Sequence, residues 1–129
     1  MTLQIKKILV PLDGSSNSFR GLDVAIHMAR ESHASITGLY VAGIVKPRTG
    51  DPITPLEKIL LAHAQKIMKK SKLIAAKKGI LFFDRVSYGD DGKMIVDVAE
   101  KQNFDLIVIG SRGMGAAREL FLGSTSNYV

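Results

Sequence analysis

Ile8-Leu9-Val10-Pro11-Leu12-Asp13-Gly14-Ser15 is the stretch on which the fold turns. Its apolar run is continuous rather than alternating, as in a strand covered on both faces, and the turn residues Gly14 and Ser15 close it. With Lys6 and Lys7 in front, it reads as a first, buried strand. Ser15 or Ser16 then caps a helix in which Phe19, Leu22, Ile26 and Ala29 recur on one face of a 3.6-residue period. That face requires a sheet to pack on.

The same alternation continues outward. Ala34 to Val41 alternates small or polar with apolar residues and predicts a second strand. Pro47, Gly50, Pro52 and Pro55 make Gly43 to Pro55 a loop. From Leu56 to about Lys78, the apolar positions Leu56, Leu60, Ile67 and Ile74 describe a long amphipathic helix that Gly79 stops. Ile80 to Ser87 predicts strand three. Met94, Ile95, Val98 and Ala99 mark a third helix, with Asp90 and Asp91 near its positive end, and Asp105 to Ile109 is strand four. Strands alternating with crossover-length helices imply one doubly wound parallel sheet, a Rossmann-like α/β fold with helices on both faces. The expectation is one domain over residues 1–129, cut short about one turn into a fourth helix beginning near Ser124.

Composition narrows the function. At 129 residues, 46% hydrophobic and 23% charged, the chain can bury a real core. The longest apolar runs are too short to span a bilayer, and Met1 to Lys7 lacks a signal-peptide pattern, so a cytoplasmic location and no membrane partner are expected. With no cysteine, disulfides, thiolate metal sites and a Cys nucleophile are excluded. The net charge of +6 favours anionic partners. Much of the surplus sits in Lys66, Lys69, Lys70, Lys72, Lys77 and Lys78, on a helix without interleaved aromatics, which reads as a solvated face rather than a nucleic-acid site.

The chemistry gathers after strand four. Gly110-Ser111-Arg112-Gly113-Met114-Gly115 leaves the strand, and Gly123-Ser124-Thr125-Ser126 begins a predicted helix. Glycines let backbone N–H groups approach an anion, and a helix N-terminus supplies further donors and a positive dipole. The bland alternative is that Gly110 and Gly113 serve a tight turn and Ser124 an N-cap.

Read as Gly-x2-Gly-x9-Gly-Ser, the loop resembles the nucleotide-binding signature of the universal stress protein family, in its ATP-binding branch. Ile8 to Ser15 resembles the family's first strand and Asp105 to Gly113 its fourth. The resemblance implies an ATP-binding stress-response module with a fifth strand, missing here, that often pairs two subunits into a homodimer. It implies that Asp13 and Val41 flank the adenosine and that Pro11 and Leu12 shape the pocket. Gly110, Arg112, Gly113, Gly123, Ser124 and Thr125 would cradle ribose and phosphates. Asp13 either meets the ligand, as ribose acceptor or indirect Mg2+ holder, or caps the first helix. Without a fifth strand, strand four is expected to be an exposed edge.

Other readings fail on particular positions. A Walker A loop at Asp90-Asp91-Gly92-Lys93-Met94 would need Gly where Ser87 stands and Ser or Thr where Met94 stands. A receiver domain would need more acids than Asp13 and a phosphoacceptor after strand three. A dinucleotide site would put its glycines after strand one. His27, His33 and His63 lack ligand spacing and read as packing or surface residues. No nucleophile-base pair is evident, so catalysis is limited to slow ATP hydrolysis at most. A nucleotide-free interaction protein or weak nucleic-acid binder is the remaining alternative.

Overall fold

The computed structural model describes residues 4–110 in full and the backbone of residues 117–121. Five strands form one sheet in the order β3-β2-β1-β4-β5. They are β1 (Lys7–Pro11), β2 (Ser35–Ala42), β3 (Phe82–Tyr88), β4 (Leu106–Gly110) and β5 (Ala117–Phe121); the first four are parallel. Three helices connect them, α1 (Ser16–Ser32), α2 (Pro55–Lys77) and α3 (Asp91–Lys101). The predicted α/β order is therefore present, with boundaries displaced by one or two residues. No helix among the described residues is long and apolar enough to cross a membrane.

The caps follow from local chemistry. Ser15, rather than Ser16, caps α1 by accepting the Ser18 N–H at 3.1 Å. Thr54 caps α2 ahead of Pro55, and the Asp90 carboxylate caps α3 by accepting the Lys93 N–H at 3.2 Å. The Asp90-Asp91-Gly92 stretch is thus a helix start.

Helices α1 and α2 cover one face of the sheet, where Ile8, Val10, Ile36, Leu106 and Val108 meet Leu22, Ile26, Ile67 and Met68. Helix α3 covers the other, where Leu9, Leu39 and Ile107 meet Val98 and Ala99. Each large aliphatic side chain so buried contributes roughly 1.5–3 kcal/mol. The apolar face predicted for α2 is displaced at its start. Leu56 is exposed and Glu57 turns inward, where its Oε2 accepts the Tyr88 hydroxyl at 3.2 Å.

Strand four is not an edge. Residues 117–121 return antiparallel along its full length, pairing Gly110 with Ala117 and Leu106 with Phe121. Nine residues separate Gly113 from Gly123, and five of them satisfy the backbone groups that β4 would leave open. This strand lies ahead of Gly123 and runs antiparallel, so it is distinct from the fifth strand that the resemblance places after a fourth helix. The predicted fourth helix lies outside the described residues.

Two tight contacts join β1 and α1 to β4. Asp105 Oδ2 accepts the N–H groups of Lys6 and Lys7 at 2.8 and 3.0 Å, tying the start of β1 to that of β4. At the other end, Gly110 lies against the first turn of α1, where an added Cβ would overlap the Asn17 carbonyl. A Cβ on Gly21 would come within 2.9 Å of the Gly110 nitrogen. Gly110→Ala must therefore push α1 off β4 and is expected to cost about 3 kcal/mol or more, while Gly43→Ala, with open space around it, should stay within about 0.5 kcal/mol. Urea unfolding of the two variants checks this.

Candidate functional site

The strand order reverses at β1. The chain adds β2 and β3 on one side of it, then crosses to place β4 on the other. Crossovers diverge there, which opens a crevice at the carboxyl ends of β1 and β4. A cleft of about 230 Å3 occupies that position.

Pro11, Leu12 and Asp13 enter the cleft from the end of β1, Val41 from β2 and Gly110 from β4. Five residues named from the sequence thus share one wall. Arg112, Gly113, Gly123, Ser124 and Thr125 lie outside the described residues. Strand β5 ends opposite Leu106, about 13 Å of strand from Gly110.

The sequence reading missed the rest of the wall. Leu39 lies two residues before Val41, so strand alternation puts both on the α3 face, beside Ile95 and Ile109. Ser15, Asn17 and Ser18 bring the first turn of α1, and Asp91 that of α3. The signal was available in the topology: right-handed crossovers at a reversal point aim both helix N-termini at the same crevice. Those termini favour negative charge in a ligand.

Asp13 is exposed at the cleft. Its Oδ1 accepts the Ser15 N–H at 2.9 Å, so it braces the turn while Ser15 does the capping. Burial pushes its carboxyl up, but hydrogen bonding from the Ser15 hydroxyl and N–H and the Ser18 hydroxyl outweighs burial and holds it below the usual carboxylate value. The Tyr40 hydroxyl is pushed up by burial and then by the charges of Asp13 and Asp91. The turn itself is clamped from above. Gly14, at φ +89, sits beneath His63 and Ile67 of α2, and the His63 Nδ1 lies 3.3 Å from the Tyr40 hydroxyl. His63 is accordingly a packing residue.

The described wall therefore offers an apolar slot, the Asp13 and Asp91 carboxylates and small hydroxyls, with no cationic side chain. That chemistry suits the hydroxyl-bearing and aromatic part of a ligand. Among the described residues no group of three or more His, Cys, Asp or Glu could hold a metal ion. A divalent cation held here would take most of its coordination from oxygens of the ligand.

A profile of the universal stress protein family matches residues 4–129. The universal stress protein YxiE of Bacillus subtilis is 32% identical over 133 aligned residues, which cover 95% of this chain and 90% of that protein. A family protein from Burkholderia pseudomallei shares the fold at a TM-score of 0.74, with 23% identity over 86% of this chain and 85% of that one. A universal stress protein solved in complex with cAMP superposes at a TM-score of 0.70, with 21% identity, covering 88% and 81% of the two chains. An Arabidopsis thaliana family protein with AMP bound does so at 0.66, with 18% identity and coverage of 86% and 80%.

Because the folded-state pKa of Asp13 is lowered, its stabilising effect is complete above the unfolded value near 3.8 and is lost as pH falls through the folded value. Asp13→Asn is expected to lose a few tenths of a kcal/mol at neutral pH, and the deficit should vanish in strong acid. Denaturant unfolding of both proteins across that pH range measures it.

Proposed function

The chain belongs to the universal stress protein family, and on that premise we propose that it is an adenine-nucleotide-binding module of the stress response, with ATP as the ligand. The observation that carries this reading is the composition of the cleft: an apolar slot between Val41, Leu39 and Ile95 beside a charged Asp13, at a point where two helix N-termini meet. The flat adenine ring fits the slot and the ribose hydroxyls donate to Asp13. The cAMP and AMP held by proteins of this fold support the same ligand class.

The phosphate end is assigned to the backbone of Gly110 and Gly113 with Arg112, and to Gly123, Ser124 and Thr125. On this assignment Arg112 supplies the cation that the described wall lacks, and the glycine and hydroxyl residues add N–H and O–H donors to those of the two helix N-termini. In this reading nucleotide binding alters the surface shown to protein partners, and two copies pair as a homodimer in the cytoplasm.

Asp13 and Asp91 also favour a second reading, slow hydrolysis, in which the two carboxylates hold Mg2+ against the phosphates of bound ATP. Turnover that persists through repeated purification and disappears in Asp13→Ala identifies it.

Titrating ATP, AMP and cAMP against the purified chain is the primary measurement, with binding expected in the micromolar range. Val41→Asp, which puts a carboxylate into the adenine slot, should weaken the best ligand at least about tenfold, or about 1.4 kcal/mol. Gly113→Glu should abolish binding by filling the phosphate space. Absence of binding to all three nucleotides overturns the reading.

A further inference from the structure

Charge is distributed unevenly over the molecule. Lys58, Lys66, Lys69, Lys70, Lys72 and Lys77 lie on α2, with Lys78 at its end, and every one is exposed. The only acidic residue of that segment is Glu57, which is buried and bonded to Tyr88. Seven lysines against one carboxylate give the segment six net positive charges, equal to the +6 of the whole chain. The remainder of the protein is neutral. Among the described residues no α2 lysine is in an ion pair.

The lysines do not ring α2 evenly with polar neighbours. The buried seam runs through Ala64, Ile67, Met68, Ser71 and Ala75, and the opposite crest carries Ile59, Lys66 and Leu73 at seven-residue steps, a spacing that drifts only about 20° per step. Ile59 and Leu73 are 66% and 59% exposed, about 21 Å apart along the helix. Lys58, Lys69, Lys70 and Lys77 flank that crest. Helix α1 packs beside α2 on the same face of the sheet and adds Arg20, Arg30 and His27 against Asp23 and Glu31, so it neither augments nor cancels the field.

We propose that the outer face of α2 is a docking surface for the anionic surface of a lipid bilayer. An amphipathic or basic helix lying in the interface gains from both of its components, lysine heads held at anionic headgroups and aliphatic side chains entering the acyl boundary. The absence of a membrane-spanning helix does not bear on such peripheral attachment. Nucleic acid answers the same charge less well. The segment has seven lysines and no arginine, whereas base and bidentate phosphate recognition favours arginine. It presents no Phe, Tyr or Trp for stacking, its His63 ring packs edge-on against Tyr40, and the neighbouring Phe19 ring is covered by the Lys70 ammonium at 4.4 Å. A phosphate backbone gives no reward to exposed Ile59 and Leu73. This proposal is independent of nucleotide binding, since none of these residues lines the cleft.

Co-sedimentation of the full chain with vesicles of phosphatidylcholine containing about one third phosphatidylserine tests it, with pure phosphatidylcholine as reference. The expected result is binding to the anionic vesicles only, lost at high salt. Lys66→Glu combined with Lys69→Glu should lower the apparent affinity about tenfold or more, and Ile59→Ser with Leu73→Ser by several-fold, both with unchanged circular dichroism. Equal sedimentation with both vesicle types, or none with either at low salt, overturns the proposal. So does tighter binding to a duplex oligonucleotide than to the anionic vesicles that is insensitive to the Ile59 and Leu73 substitutions, which would assign the face to nucleic acid.

Discussion

The close approach of α1 to the end of β4 is the constraint from which the candidate site follows. Two backbones touch there because neither Gly21 nor Gly110 carries a side chain. That contact fixes where the first turn of α1 points, and hence where Ser15, Ser18 and the braced Asp13 stand relative to β4. Gly110 consequently has a packing duty that exists whether or not a phosphate ever meets it. The tight-turn reading and the ligand reading of this glycine are therefore not rivals: the contact that demands glycine also leaves its backbone facing the cleft.

The cleft and the outer surface of α2 carry opposite signs. Inside, Asp13 is kept ionised by hydrogen bonds that outweigh its partial burial, and its charge reaches Tyr40 together with that of Asp91. Outside, one helix holds the whole surplus of positive charge. The two regions meet at His63, which packs over the Gly14 turn from the same helix that bears the lysines. A ligand in the cleft and a partner on α2 would thus address the two sides of one mechanical element.

Most of the sheet was legible in the sequence because buried parallel strands are short unbroken apolar runs between helices of clear period, as Ile8–Val10 and Leu106–Ile109 show. The site was legible where residues adjoin such a strand, as Pro11 to Asp13 and Gly110 do. Leu39, Ile95 and Asp91 escaped because their place depends on which strands become neighbours, a property of topology rather than of local pattern. At the start of α2, period alone favoured Leu56 as the inward residue. The half-buried Tyr88 instead gives the buried Glu57 carboxylate a hydroxyl donor, and Leu56 is left facing outward. Strand β5 escaped for a different reason: a spacing motif counts the residues between its fixed points and is silent about what those residues pair with.

The pairing of Ile8 with Leu106, sealed by Asp105 on the amides of Lys6 and Lys7, has a consequence for when the cleft comes into being. Its two main walls, at the ends of β1 and β4, lie far apart in sequence, and closing so long a loop is a slow, nonlocal step of folding. During synthesis β1, α1 and β2 can assemble while β4 is still unmade, and at that stage no crevice exists between strands. Competence to hold a ligand there arises in one step, when β4 pairs with β1. Occupancy of the cleft is in that sense a report that β4 has closed onto β1.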